Sequence, residues 1–202
     1  MNNPENFPSE VITWRRSATL ARRTADKILA AGFAPEAIIA IARGGYVPAR
    51  LLCDLLGVKD LDAFRIVHYG PGASKKEKAD IASDISLDIT GKDILLVDDL
   101  IDTGETFAAA RDYLLARNPR ILRTAALLVK KQAPVTPDFY GSIIRKWRWL
   151  IFPWAVIEDV GAFLEKSGKR FTSPDEAGRY LKTNYGLELR KKQLRDVLKF
   201  GG

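Results

Sequence analysis

The chain has 202 residues, 47% of them hydrophobic and 28% charged, with a net charge of +7. This length and balance indicate one soluble globular domain with an appendage, and no run is long or apolar enough to cross a membrane. The N-terminus lacks a signal-peptide apolar core, and the single cysteine, Cys53, excludes an intrachain disulfide, which fits a reducing cytoplasm.

Taken in chain order, WRRSATLARRTADKILAAGF has helical spacing and stops at Gly32. AIIAIA, residues 37–42, is a continuous β-branched and small apolar run and reads as a buried strand. Arg43-Gly44-Gly45-Tyr46 follows at once. Glycines let backbone approach a ligand closely, and the Arg43 guanidinium is a cationic fork suited to phosphate oxygens. VPARLLCDLLG then reads as a helix closed by Gly57, with Cys53 as a small core residue. A strand is expected over Asp62–Tyr69. From Gly70 to Lys92 the chain is polar, with GPG, SKKEK and ITGK, and reads as a long loop holding at most one short strand. His68, the single histidine, ends the preceding strand and reads as an anchor at the loop base.

Residues 94–106, ILLVDDLIDTGET, carry the most chemistry. An apolar strand runs into two carboxylates, Asp98 and Asp99. A short polar turn follows, and FAAARDYLLAR is helical in pattern. In α/β sheets ligands bind outside the carboxyl ends of strands, where this turn lies. Thr103 and Thr106 bring hydroxyls, Gly104 lies between them, and the helix start brings backbone N–H groups. Together these make an anion site sized for one phosphate. Ionised Asp98 and Asp99 are acceptors suited to a sugar diol or to hydrated Mg²⁺. The Mg²⁺-holding strand of P-loop ATPases also ends in acids, but the sequence holds no G-x-x-x-x-G-K-[ST] loop.

ILLVDDLIDTGET resembles the phosphoribosyl-pyrophosphate (PRPP) motif of the type I phosphoribosyltransferases, and AIARGGYVPARLL resembles their pyrophosphate loop. The resemblance spans roughly Trp14 to Asp159. It implies an α/β fold, a parallel sheet flanked by helices with a small hood, and Mg²⁺-dependent transfer of ribose 5-phosphate to a nitrogen base. Asp98 and Asp99 would then hold the ribose hydroxyls and the metal, in part through water. Asp102, Thr103, Gly104, Glu105 and Thr106 would cradle the 5-phosphate, and Arg43 and Gly44 would bind pyrophosphate. The loop often carries a non-proline cis peptide, expected here at Arg43–Gly44. The polar stretch Gly70–Asp88 takes the place of the family's closing loop.

The string DTG resembles the 6-oxopurine branch, in which the aspartate faces N7 of the base; adenine-specific relatives have alanine there. Asp102 is therefore the expected catalytic base. Lys130, ending the strand ILRTAALLVK, matches the lysine that donates to the oxygen at purine C6, with Lys131 as the neighbouring candidate. Trp149, opening WLIFPW, matches the hood aromatic that stacks on the purine, and Ile151 would give backbone contacts to the base edge. One departure stands out. Relatives often carry an acid directly after PW, but here Trp154 is followed by Ala155, and the first acids are Glu158 and Asp159.

Beyond Asp159 the sequence changes character. GAFLEKSGKRF reads as a helix with a basic end, Ser173 as the N-cap of a helix with Pro174 in its first turn, and LELRKKQLRDVLK as a last helix after Gly186. Residues 160–202 are thus expected to form a small helical module behind a 1–159 phosphoribosyltransferase domain. The expected partners are PRPP and a purine base, with pyrophosphate and a nucleoside monophosphate as products, and a second copy of the chain in a homodimer or higher oligomer. Neither a membrane nor a nucleic acid is expected. Two alternatives stay open: a PRPP-sensing transcription regulator of the same fold, whose basic tail touches DNA, and a transferase with a non-purine acceptor.

Overall fold

The computed structural model describes residues 6–68 and 79–201. Its elements in order are β1 (Ser9–Val11), α1 (Trp14–Ala30), β2 (Ala37–Ala42), α2 (Tyr46–Leu56), β3 (Asp60–His68), β4 (Ala79–Ile81), β5 (Asp93–Ile101), α3 (Glu105–Leu115), β6 (Ile121–Lys130), β7 (Phe139–Ile144), β8 (Trp149–Ile151), α4 (Val156–Lys166), α5 (Pro174–Tyr185) and α6 (Lys191–Phe200). The chain forms two compact units. One is Ser17–Lys146; the other joins the segment through Arg16 to everything from Trp147 onward.

The first unit is built on a six-stranded sheet in the order β4-β3-β2-β5-β6-β7. All its pairings are parallel except β3 with β4. Parallel strands joined by helices are covered on both faces, so their sequences are apolar throughout. Successive residues of β2 and β5 accordingly feed opposite cores. Ile39, Ile41, Ile94 and Leu96 pack with Phe64, Phe107 and Leu114. Ile38, Ala40, Leu95 and Val97 pack with Ile28, Leu52 and Cys53. α2 closes at Gly57 as expected.

The second unit holds the two-stranded parallel pair β1–β8 and helices α4, α5 and α6. Ile151, Val160, Phe163, Leu181, Tyr185, Leu194 and Val197 form its core. The boundary drawn at Asp159 falls inside α4, because that helix starts at Val156 and its apolar face packs with Ile151 of β8. The basic residues Lys169 and Arg170 lie past the helix end, which Gly168 terminates at φ +66°. Ser173 caps α5 by accepting from the Glu176 N–H at 3.2 Å. Among the described residues no helix is long and apolar enough to span a membrane.

Candidate active site

The pairing of β2 with β5 ends at Ala40–Val97, while β5 runs on to Ile101 beside β6. Past that point β5 has lost one neighbour, and the crevice so opened contains Asp98 and Asp99. Asp98 Oδ1 accepts from the Asp99 N–H at 2.8 Å. Burial pushes the Asp98 carboxyl well above the usual carboxylate range and the Asp99 charge adds to this, against the pull of the Asp99 N–H.

The turn after β2 presses on the same acids. A Cβ placed on Gly44 would lie 2.7 Å from both Asp99 carboxylate oxygens. One on Gly45 would lie 2.5 Å from the Val97 carbonyl and 2.7 Å from that of Ile41. The Arg-Gly-Gly turn and the acidic strand end are therefore one packed structure, and two glycines are what allow the contact. Arg43 is exposed at its start. The cis peptide is Ala42–Arg43, one bond earlier than expected, since β2 already ends at Ala42.

Gly104 precedes α3 at φ +79°, a left-handed conformation glycine adopts without steric cost. No side-chain hydrogen bond caps α3, and the N–H groups of a helix's first turn face its N-terminal end, which here follows Asp102, Thr103 and Gly104. Glu105 is the acidic residue of that first turn. Thr103 and Glu105 are exposed, and Thr106 is half-buried.

Lys130, the last residue of β6, is 2% exposed, and its ammonium donates to Asp102 Oδ2. Asp102 keeps 44% of its side chain in solvent. A buried ammonium is costly without a counter-charge, and here the counter-charge is a carboxylate in the turn between β5 and α3. Lys131 is exposed.

Trp149 and Ile151 belong to the other unit. Trp149 is 41% exposed. Ile151 is fully buried, and its carbonyl already accepts from the Ile12 N–H at 2.8 Å.

Sequence reasoning passed over the groups that tether the described end of the 70–88 loop. Asp62 Oδ2 accepts from the N–H groups of Ser86 and Leu87 at 2.6 and 2.8 Å. Against the effect of burial, these bonds hold its carboxyl below the usual range. Asp84 accepts from Tyr113 and from Arg117. No local signal marks these residues, because each partner is more than twenty positions away. The loop itself from residue 70 to 78 and the side chain of His68 lie outside the described residues.

Among the described residues, no cluster of three histidine, cysteine or acidic side chains makes a protein-only metal cage. Mg²⁺ seldom needs one, since it is held by one or two carboxylates plus water and substrate oxygens. The Asp98–Asp99 pair fits that pattern. Burial first, and the neighbouring Asp99 charge second, raise the Asp98 carboxyl, and a divalent cation would offset both.

Residues 9–158 match the family described as the phosphoribosyl transferase domain. The hypoxanthine-guanine phosphoribosyltransferase of Aquifex aeolicus is 34% identical over 114 residues, 53% of this chain and 62% of the relative. The chain thus covers under two thirds of that relative's length. The hypoxanthine phosphoribosyltransferase of Escherichia coli K12 is 31% identical over 133 residues, 64% of this chain and 74% of the relative. A purine phosphoribosyltransferase from Pyrococcus horikoshii shares the fold with a TM-score of 0.64 and 29% identity, over 72% of this chain and 93% of that one.

Proposed function

Since the chain belongs to the phosphoribosyl transferase family, we propose that it transfers ribose 5-phosphate from PRPP to a 6-oxopurine base. The products are a nucleoside 5′-monophosphate and pyrophosphate, and the acceptor is hypoxanthine, guanine or xanthine. The observation that carries this reading is the Lys130–Asp102 pair. A donor and an acceptor stand side by side at the rim of an anion-binding helix start. On a 6-oxopurine, an acceptor oxygen at C6 and the N7 edge are likewise adjacent. Lys130 can only donate, so it favours 6-oxo over 6-amino bases.

In this reading the α3 N-terminus with Thr103, Gly104, Glu105 and Thr106 binds the 5-phosphate. Asp98 and Asp99 hold the ribose hydroxyls, and Arg43 with Gly44 receives the departing pyrophosphate. Asp102 takes up the base proton as the glycosidic bond forms. Trp149 stacks on the purine, and Ile151 supports its edge from the backbone. Asp98 and Asp99 would hold Mg²⁺, which neutralises the charge developing on the leaving pyrophosphate. A cytoplasmic setting and a homo-oligomer belong to the same proposal.

The test is turnover with PRPP, Mg²⁺ and each free base in turn. Release of pyrophosphate with a 6-oxopurine and not with adenine is expected. Lys130→Ala should erode that preference by about tenfold or more, the usual worth of a buried donor aimed at a substrate oxygen. A variant that still rejects adenine and keeps its 6-oxopurine rate would transfer the role to Lys131.

A further inference from the structure

Trp149 is firmly held although it is partly exposed. Phe7 lies with its ring centroid 6.0 Å away at a tilt of 42°, and Phe163 meets it edge-on at 6.2 Å. Phe7 is itself braced by Phe163 at 5.4 Å and by Tyr185 at 5.1 Å. The indole N–H donates to the carboxylate of Asp159, in the first turns of α4.

That carboxylate is half-buried in the first turn of α4. Burial, joined by the charge of Glu158, pushes it up to about 6, and the Trp149 hydrogen bond offsets this only in part. Its polar contact is the indole of Trp149, a ring that stays 41% exposed while Phe7 and Phe163 pack against it. Stacking depends on the plane and offset of the ring, so whatever fixes its rotation also sets the affinity for a flat base.

We infer that Asp159 is a positioning residue for the base: by accepting the Trp149 N–H, it locks the indole plane on which the purine stacks. This rests on the reading of Trp149 as the stacking ring.

The experiment compares Trp149→Ala, Trp149→Phe, Asp159→Ala, Asp159→Asn and the Trp149→Phe/Asp159→Ala double variant of the full chain. Each is assayed for KM of the base, KM of PRPP, kcat and melting temperature. Asp159→Ala should raise KM for the base about tenfold, the scale of one charge-assisted hydrogen bond. KM for PRPP and kcat should stay within about twofold. Asp159→Asn keeps an acceptor oxygen and should restore most of the base affinity. Trp149→Phe keeps a ring without the N–H and should resemble Asp159→Ala, and the double variant should be no worse than either single one. An unmoved base KM in Asp159→Ala, or an equal further loss when Asp159→Ala is added to Trp149→Phe, overturns the inference while leaving the stacking reading standing. An unmoved base KM in Trp149→Ala overturns both. If Asp159→Ala fails to fold, Trp149→Phe and Asp159→Asn decide alone: a parent-like base KM in Trp149→Phe, or a base KM in Asp159→Asn as high as in Trp149→Phe, overturns it.

Discussion

Asp102→Asn keeps an oxygen within reach of Lys130 Nζ but removes its negative charge. If the carboxylate takes the base proton, turnover should drop by about a hundredfold to ten-thousandfold, the usual range for a lost general base. PRPP affinity should change little, because the proposed reading assigns the phosphate to backbone N–H groups of α3 and not to the Asp102 carboxylate. Unaltered turnover with all three 6-oxopurines would remove Asp102 from the chemistry. Asp159 gives a second prediction at this scale, on stability. Its carboxyl is raised from 3.8 to about 6, so between these values the folded chain binds a proton that the unfolded chain has released. That contribution is fully present below the unfolded value and is lost as pH rises through about 6. Asp159→Asn has no such loss. Its melting temperature should gain on the parent between about pH 4 and pH 7, by the equivalent of roughly 1–2 kcal/mol once solvent screening of the half-exposed carboxyl reduces the full effect of about 3 kcal/mol. Thermal unfolding of both across this range checks it, and parallel curves would contradict it.

At the scale of elements, the turn between β2 and α2 is the sharpest constraint. Gly45→Ala would place a methyl group 2.5 Å from the Val97 carbonyl, a backbone atom that cannot rotate away. The expected cost is roughly 1–3 kcal/mol of overpacking, read by chemical denaturation. Gly44→Ala meets the Asp99 carboxylate instead, which is a side chain and can move. Its effect should fall on KM for PRPP more than on stability, because Asp99 is displaced from the crevice. Equal effects of the two variants on stability, with PRPP binding intact, would contradict this division.

At the scale of the whole molecule, the helical tail from about Gly161 onward is proposed to be a packing or subunit-contact module, which braces Trp149 through Phe163 but touches no substrate. Val160, Leu181, Leu194 and Val197 are buried against one another and against Ile151 of β8. A chain ending near Asp159 would expose that core. It should lose solubility or its oligomeric state, as read by light scattering, and neither form should bind duplex DNA. Tight DNA binding that weakens steeply with salt and disappears on truncation, with base turnover intact, would instead identify a regulator.

The run AIIAIA, the string ILLVDDLIDTGET and the caps at Gly57 and Ser173 were sufficient to place β2, β5, α2, α3 and α5, because periodicity, β-branching and capping are local properties. The family and the strand-turn-helix of β5 and α3 were legible for the same reason: a strand end and a helix start meet within a dozen residues. β7 was not legible, since Gly141 breaks its β-propensity. A Cβ there would lie 2.8 Å from the carbonyls of Leu20 and Leu127, contacts that exist only once α1 has packed. β1 was hidden too, because its partner β8 lies some 140 residues away in the chain (Ser9 pairs with Trp149). The same holds at the candidate site. Which residues are acids and donors is written in the sequence. That Lys130 is buried against Asp102, that Asp99 abuts Gly44 and that Asp159 holds the Trp149 indole depended on tertiary packing, because each joins segments with no periodicity or spacing in common.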